Sequence, residues 1–266
     1  MNKLQHAKQW VKQSNHPMAA AIKDSFFAMK SIEVPAFSII YVPVRVIYQT
    51  LMTSLSSLSR ILFWTPMFKT QLSKVGKRLY LFGGMPLVQG TLSIEIGDDC
   101  RVSGQTTFSG RRAGHITPEL IIGNNVEISW QTTIAVGTKV QLGNNVRISG
   151  KGFLAGDSGH PIETKARAQG LPELGSQVGD IILEDDVWLA SSVTVMKGVT
   201  IGKGTIVSAG SVVTHSLPSG VIAGGVPAKV MSKIASSITQ ENQLNQTHKT
   251  NPVAKKVTSI HAGGEQ

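Results

Sequence analysis

Residues 181–214 read IILEDDVWLASSVTVMKGVTIGKGTIVSAGSVVT, and this stretch decides the fold. Leu183, Leu189, Val195, Ile201, Val207 and Val213 follow one another at six-residue intervals without a slip. A second row, Ile181, Val187, Val193 and Val199 continued by Thr205 and Ser211, runs two residues earlier and keeps step with the first. An amphipathic helix repeats at about 3.6 residues and an ordinary strand at about 2, so neither produces these rows. Each six-residue unit is predicted to be one short strand with an inward anchor. Such a unit cannot cover its own apolar face and needs stacked neighbours, which is the physical definition of a solenoid.

The same period recurs upstream in two registers, through Ile122, Ile128, Ile134 and Val140 and through Val136, Leu142, Ile148 and Leu154, with Ile96, Val102 and Phe108 as an opening. The pairs Ile96-Gly97, Ile122-Gly123, Leu142-Gly143 and Ile201-Gly202 mark corners, where glycine is expected to let the backbone turn without a Cβ clash. Three strands per turn follow. A β-sandwich would space its strands at about 8 to 12 residues with simple alternation, which this chain does not do.

A chain of 266 residues, 41% hydrophobic and 16% charged, can bury a sizeable core. Cys100 is the only cysteine, so the chain has no internal disulfide, a reducing cytoplasmic setting is expected, and no Cys/His cluster has zinc spacing. The net charge of +10 is uneven: residues 1–80 carry 11 Lys and Arg against Asp24 and Glu33, a net of +9, and the rest of the chain is nearly neutral. A basic character confined to one segment argues against nucleic acid as the partner of the whole protein.

Three regions follow: a helical, basic and apolar segment over 1–80, the solenoid over 81–234, and a polar tail over 235–266 with the composition of a disordered segment. In the first, Arg45 sits within the apolar run Val34 to Phe68 and Pro35 and Pro43 interrupt it, so no clean membrane span is predicted. Leu51, Leu55, Leu58 and Leu62 lie at helical spacing and Lys69, Lys74, Lys77 and Arg78 follow. An apolar face beside a basic cluster fits either an anchor on an anionic membrane surface or a helix packed on protein with its charges solvated.

The coils are interrupted at Ser109 to Leu120 and at Ala155 to Asp180, and loops on a rigid scaffold are where function concentrates. The second loop opens Gly156-Asp157-Ser158-Gly159-His160-Pro161. Gly159 permits a tight approach, Pro161 stiffens the exit, and the imidazole of His160 can accept a proton near neutral pH, which suits a general base acting on a hydroxyl or amine. Asp157 and Glu163 are candidates to orient it, and a backbone carbonyl would serve as well. In the first loop, His115 beside Arg111 and Arg112 either grips an anionic acceptor or is simply solvated.

Taken together, the repeats, Gly159-His160-Pro161, the run Asp185-Asp186-Val187-Trp188-Leu189-Ala190-Ser191 and the closing Gly225-Val226-Pro227-Ala228-Lys229 resemble the hexapeptide-repeat acyltransferases, in the branch of galactoside, maltose and polysaccharide O-acetyltransferases. The resemblance covers about residues 90–234. It implies an all-β fold, a left-handed parallel β-helix of hexapeptide repeats, with the N-terminal helical extension added, and an enzyme that moves an acetyl group from acetyl-CoA to a saccharide hydroxyl without a metal. It implies His160 as the base and the backbone N–H of Ser191 as the oxyanion donor. Trp188 would wall the acyl-CoA slot, the backbone at Ala209 would receive the pantetheine arm, and Thr214, His215 and Lys229 would lie toward the adenosine and phosphate end. It also implies a homotrimer with sites between subunits.

The sugar-binding positions of the galactoside enzymes are not reproduced: Ser129-Trp130-Gln131 and Val136-Gly137-Thr138 stand there. With the basic, apolar N-terminal extension, this points away from a free galactoside and toward a surface polysaccharide or its lipid-linked precursor, modified at the cytoplasmic face of the inner membrane. A non-catalytic β-helix and an acyltransferase for a small non-sugar acceptor are the competing readings. Zinc chemistry of the γ-carbonic anhydrase type finds no His-x-x-x-x-His pair here.

Overall fold

The computed structural model describes residues 2–111 and 116–234. His115, Arg112 and the 235–266 tail lie outside them. The chain divides into two units, Met1–Leu55 and Ser56–Gln266.

The second unit is a parallel β-helix of the left-handed hexapeptide type, its strands stacked into three sheets that form the three faces of a prism. Down the first face run the inward residues Ile94, Leu120, Val140, Ile181 and Val199. Down the second run Leu81, Val102, Ile128, Ile148, Leu189, Val207 and Ala223. The third carries Val88, Phe108, Ile134, Leu154, Val195 and Val213. Nearly all of these are fully buried, and each fully buried Val, Leu, Ile or Phe contributes about 1.5–3 kcal/mol of transfer free energy.

Paired residues lie 18 apart in the last coils, Ile181 with Val199 and Thr194 with Val212, which is three units of six. They lie 20 apart one coil earlier, Leu120 with Val140 and Thr133 with Phe153. The two extra residues, Gly137 and Thr138, sit at the corner between strands Thr133–Val136 and Lys139–Leu142. This corner insertion produces the two upstream registers.

The corner glycines act differently from the expectation. Gly97, Gly123, Gly143 and Gly202 do not adopt positive φ; a Cβ on Gly143 would lie 2.6 Å from the Asp185 nitrogen and one on Gly123 2.8 Å from the Gly143 carbonyl carbon. They permit close approach of successive coils. The left-handed backbone falls two residues after Gly97, Gly123 and Gly143, at Asp99, Asn125 and Asn145, and at the equivalent Asp186 of the next coil, with φ of 53–62°, where short polar side chains tolerate it. Their neighbours form a ladder along this first-to-second-face edge. Asp98 Oδ1 accepts from Lys77 N, Asn124 Oδ1 from Asp98 N, Asn144 Oδ1 from Asn124 N and Asp185 Oδ1 from Asn144 N, at 2.7–2.9 Å.

Both ends of the prism are closed. At the start, α4 (Thr65–Lys69) buries Phe68 against Phe108, ring centroids 6.2 Å apart. At the finish, the antiparallel pair Val221–Gly225 and Ala228–Lys233 covers the last coil.

The N-terminal segment contains α1 (Lys3–Gln13), α2 (Pro17–Lys30) and α3 (Ser38–Ser59), which runs through Pro43 into a π-helical turn, Arg60–Trp64. Of the residues in α1 to α3, Ala19 alone is buried. Leu51, Leu55, Leu58 and Leu62 are all more than half exposed. Among the described residues, no helix is long and apolar enough to cross a membrane.

Candidate active site

Both excursions leave the prism at the edge from third face to first, after strands Thr107–Gly110 and Phe153–Ala155. There they meet. Arg111 Nε donates to Glu173 Oε1 at 2.5 Å and its Nη2 to the Glu173 carbonyl at 3.2 Å. The side chains are 15% and 5% exposed, so this is a buried, two-point bridge between loops 62 residues apart in sequence.

The bridge borders a polar cleft of about 260 Å³ lined by Gln89, Ser109, Arg111, Asp157, His160 and Glu173. The His160 imidazole is exposed, but its backbone is fixed from below. Ser158 Oγ donates to the His160 carbonyl at 2.8 Å and Gln177 Nε2 donates to the same oxygen at 2.9 Å. Gln177 is 4% exposed and its Oε1 accepts from Leu174 N and Ile162 N, so one amide ties the start of the loop to its end. Arg167, from α5 (Thr164–Ala168), donates to the carbonyls of Pro161 and Ile162, and buried Pro161 completes the seat.

Of the two carboxylates considered for orienting His160, Glu163 is engaged elsewhere, accepting from Lys165 N and Ala166 N as the N-cap of α5. Asp157 lines the cleft with His160. Desolvation raises its pKa, the Glu173 charge adds to the rise, and the Gly159 N–H and Arg111 oppose it.

The remaining nominated residues lie away from the cleft. Ser191 and Ala209 are exposed one coil apart on the edge between second and third faces, where Gly210 N donates to the Ser191 carbonyl at 2.9 Å. The flanking N–H groups of Ala190 and Ser192 bond to neighbouring coils. Those of Ser191 and Ala209, like those of Trp130 and Gly150 above them, have no acceptor among the described residues. At the exposed Ser191 and Ala209 this edge therefore presents backbone donors spaced by about 4.8 Å. Trp188 stands outward on the second face, 46% exposed, with Nε1 donating to Ser149 Oγ at 3.3 Å. Thr214 and His215, joined side chain to side chain at 2.9 Å, follow the last third-face strand and return to the edge that carries His160. Lys229 is exposed in the closing pair, opposite Gly224.

One chain thus holds its base on one edge and its free N–H donors on another. Arg111 and Glu173 escaped sequence reasoning as a pair, because nothing in their spacing announces the contact. Gln177 and Arg167 escaped altogether. Among the described residues, no group of three His, Cys, Asp or Glu could hold a metal ion.

Residues 180–215 match the bacterial transferase hexapeptide family (six repeats). Among curated proteins, none matches the chain. Among solved structures, the chain is similar to AntD, an N-acyltransferase from Bacillus cereus. A variant in complex with dTDP-4-amino-4,6-dideoxyglucose and coenzyme A is 20% identical, with 69% of this chain and 96% of that one covered and a TM-score of 0.52. AntD in complex with dTDP and 3-hydroxybutyryl-CoA is 19% identical, with coverage of 70% and 96% and a TM-score of 0.51. The shared feature is the fold alone, the hexapeptide-repeat β-helix.

Proposed function

We propose that the protein is an acyl-CoA-dependent O-acetyltransferase that moves an acetyl group from acetyl-CoA to a saccharide hydroxyl, with His160 as general base. The observation that carries this reading is an exposed imidazole seated on a braced backbone at the mouth of a polar cleft. A neutral imidazole takes the acceptor proton as the hydroxyl oxygen attacks the thioester, and returns it to the leaving CoA thiolate. A base so placed contributes about 10² to 10⁴ in rate. The Ser191 N–H steadies the oxyanion, worth about 10² to 10³. Trp188, Ala209, Thr214, His215 and Lys229 hold the CoA, with Lys229 as a point charge for phosphate. The hexapeptide match and the CoA complexes of AntD support the cofactor. The sugar nucleotide bound to AntD supports a sugar-related acceptor.

The placement of His160 and Ser191 on different edges favours a homotrimer in which neighbouring prisms complete each site. The acceptor in this reading is a surface polysaccharide or its lipid-linked precursor, met by a cytoplasmic enzyme held peripherally at the inner membrane by its N-terminal segment. N-acylation of an amino sugar is the second reading, favoured by the amino sugar in AntD and the carboxylates in the cleft.

The decisive experiment is subunit complementation. His160→Ala and Ser191→Pro, which removes one N–H, should each be inactive in thiol release from acetyl-CoA with a saccharide panel. Co-refolded mixtures should regain activity, because some interfaces pair an intact His160 with an intact Ser191. Mixtures as dead as their parents would overturn the shared site, and wild-type protein that neither binds CoA nor releases thiol would overturn the enzyme. Hydroxylamine lability of the product separates ester from amide.

A further inference from the structure

Helices α1 and α2 form a hairpin that has almost no core of its own. Ala19 is its one buried residue, while Leu4, Ile22, Phe26 and Phe27 are 45–63% exposed. Between the helices lies an apolar groove of about 730 Å³, walled by Leu4, Ala7, Val11, Ile22, Phe26 and Phe27. Helices of 11 and 14 residues are marginal in water, and their stability comes from whatever covers the apolar face.

The charges on the groove identify the cover. Lys8, Lys12 and Lys23 line it beside the apolar residues, and no acidic residue does. Lysines on the flank of an apolar helix face extend their stems over that face and place their ammonium groups at its border. A second copy of the hairpin would bring six lysines together around one seam. The tail 235–266 offers two acidic residues against three lysines and has no acidic run to meet them. A layer of apolar chains edged with phosphate satisfies both halves of the pattern.

We infer that the α1–α2 groove is a docking site for anionic bilayer lipid: acyl chains enter between Leu4, Val11, Ile22 and Phe26, and headgroup phosphates meet Lys8, Lys12 and Lys23. The hairpin lies in the plane of the interface, as fits two helices far shorter than a bilayer span. This rests on the peripheral-membrane part of the proposed function and moves the contact from the basic cluster at Lys74, Lys77 and Arg78 to a defined groove.

The test is co-sedimentation of the full chain with phosphatidylcholine vesicles, with and without phosphatidylglycerol. Wild-type protein should bind the mixed vesicles, fail to bind phosphatidylcholine alone, and resist competition by inorganic phosphate. The triple change Lys8→Gln, Lys12→Gln and Lys23→Gln keeps helix propensity and should weaken binding on the order of tenfold to a hundredfold. Ile22→Ser with Phe26→Ser should remove it. Both variants should release thiol from acetyl-CoA as wild type does; if wild type shows no turnover, the enzymatic reading fails while the vesicle result stands. Vesicle binding lost on Lys74→Gln, Lys77→Gln and Arg78→Gln but unchanged in the groove variants would overturn the groove and keep the membrane. No binding by the full chain would overturn both. A change of oligomeric state in light scattering for Ile22→Ser with Phe26→Ser, with vesicle binding intact, would give the groove to a second copy. If the serine pair unfolds the hairpin by circular dichroism, the lysine variant decides.

Discussion

Two edges of the prism are made from the same repeating backbone and do different work. Along the edge between first and second faces, the side chains of Asp98, Asn124, Asn144 and Asp185 point into neighbouring coils and accept their N–H groups. Polar groups there are satisfied by the scaffold itself. Along the edge between third and first faces, the chain is thrown out into loops, and Arg111, Asp157, His160 and Glu173 gather around a cleft. The difference separates stability from chemistry: a change on the first edge should lower unfolding temperature and spare turnover, and removal of the His160 imidazole at the cleft should do the reverse.

The largest effect tests the second half of that statement. His160→Ala should reduce turnover by about 10² to 10⁴ with thermal stability and CoA affinity unchanged, because the imidazole is exposed and makes no hydrogen bond among the described residues. Single-turnover kinetics and calorimetry with CoA measure the two sides. Near wild-type turnover would remove His160 from the mechanism.

Arg111→Ala probes the bridge that shapes the cleft, and leaves Glu173, 5% exposed, as an unpaired buried carboxylate. Breaking a buried pair from one side costs about 3–5 kcal/mol. The loops that meet at this bridge would bear the cost, so amide exchange should rise across 156–180 and turnover should fall, while the coils keep their protection. Double replacement by Met at 111 and Leu at 173 should recover order without the charges.

Gly143→Ala is the counterpart on the closed edge. Its Cβ would stand 2.6 Å from the Asp185 nitrogen, so the coils must part, at about 1–3 kcal/mol. The unfolding temperature should drop and thiol release per folded molecule should stay the same.

The sequence displays the closed edge better than the open one, for a physical reason. A stacked coil repeats its environment, so Leu183, Leu189 and Val195 must all be apolar and the rule is written at a fixed period. Even the shift between upstream registers was visible, because Gly137 and Thr138 add two residues to a count of six. The role of Gly143 was not, since turn freedom and close approach both call for glycine, and only the stacked coils distinguish them. At the cleft no repeat operates. His160 is legible because glycine and proline flank it, whereas Arg111 reaches Glu173 across 62 residues through a contact that exists only after the coils have stacked. Glu163 was legible as a nearby carboxylate and unreadable as a helix cap until α5 was seen.

The smallest predicted effect concerns Asp157 and distinguishes the edges by pH. Burial and the Glu173 charge raise its pKa above the ordinary 3.8, so the folded state holds this proton more tightly than the unfolded chain does. Between the ordinary value and the raised one, the native state therefore binds more protons, and stability falls as pH rises. Below that window both states are protonated and the group contributes nothing; above it the full penalty of a desolvated carboxylate is present. Asp157→Asn removes the charge and keeps an oxygen for the Gly159 N–H. The variant should be more stable than wild type at neutral pH, with the gap closing as pH falls through the carboxylate range. On the closed edge Asp185 Oδ1 accepts from Asn144 N and Nδ2, and Asp185→Asn should show no gain at neutral pH. Unfolding temperatures of both pairs across that range measure the contrast, and an Asp157→Asn gain that persists undiminished in acid would assign it to packing instead of charge.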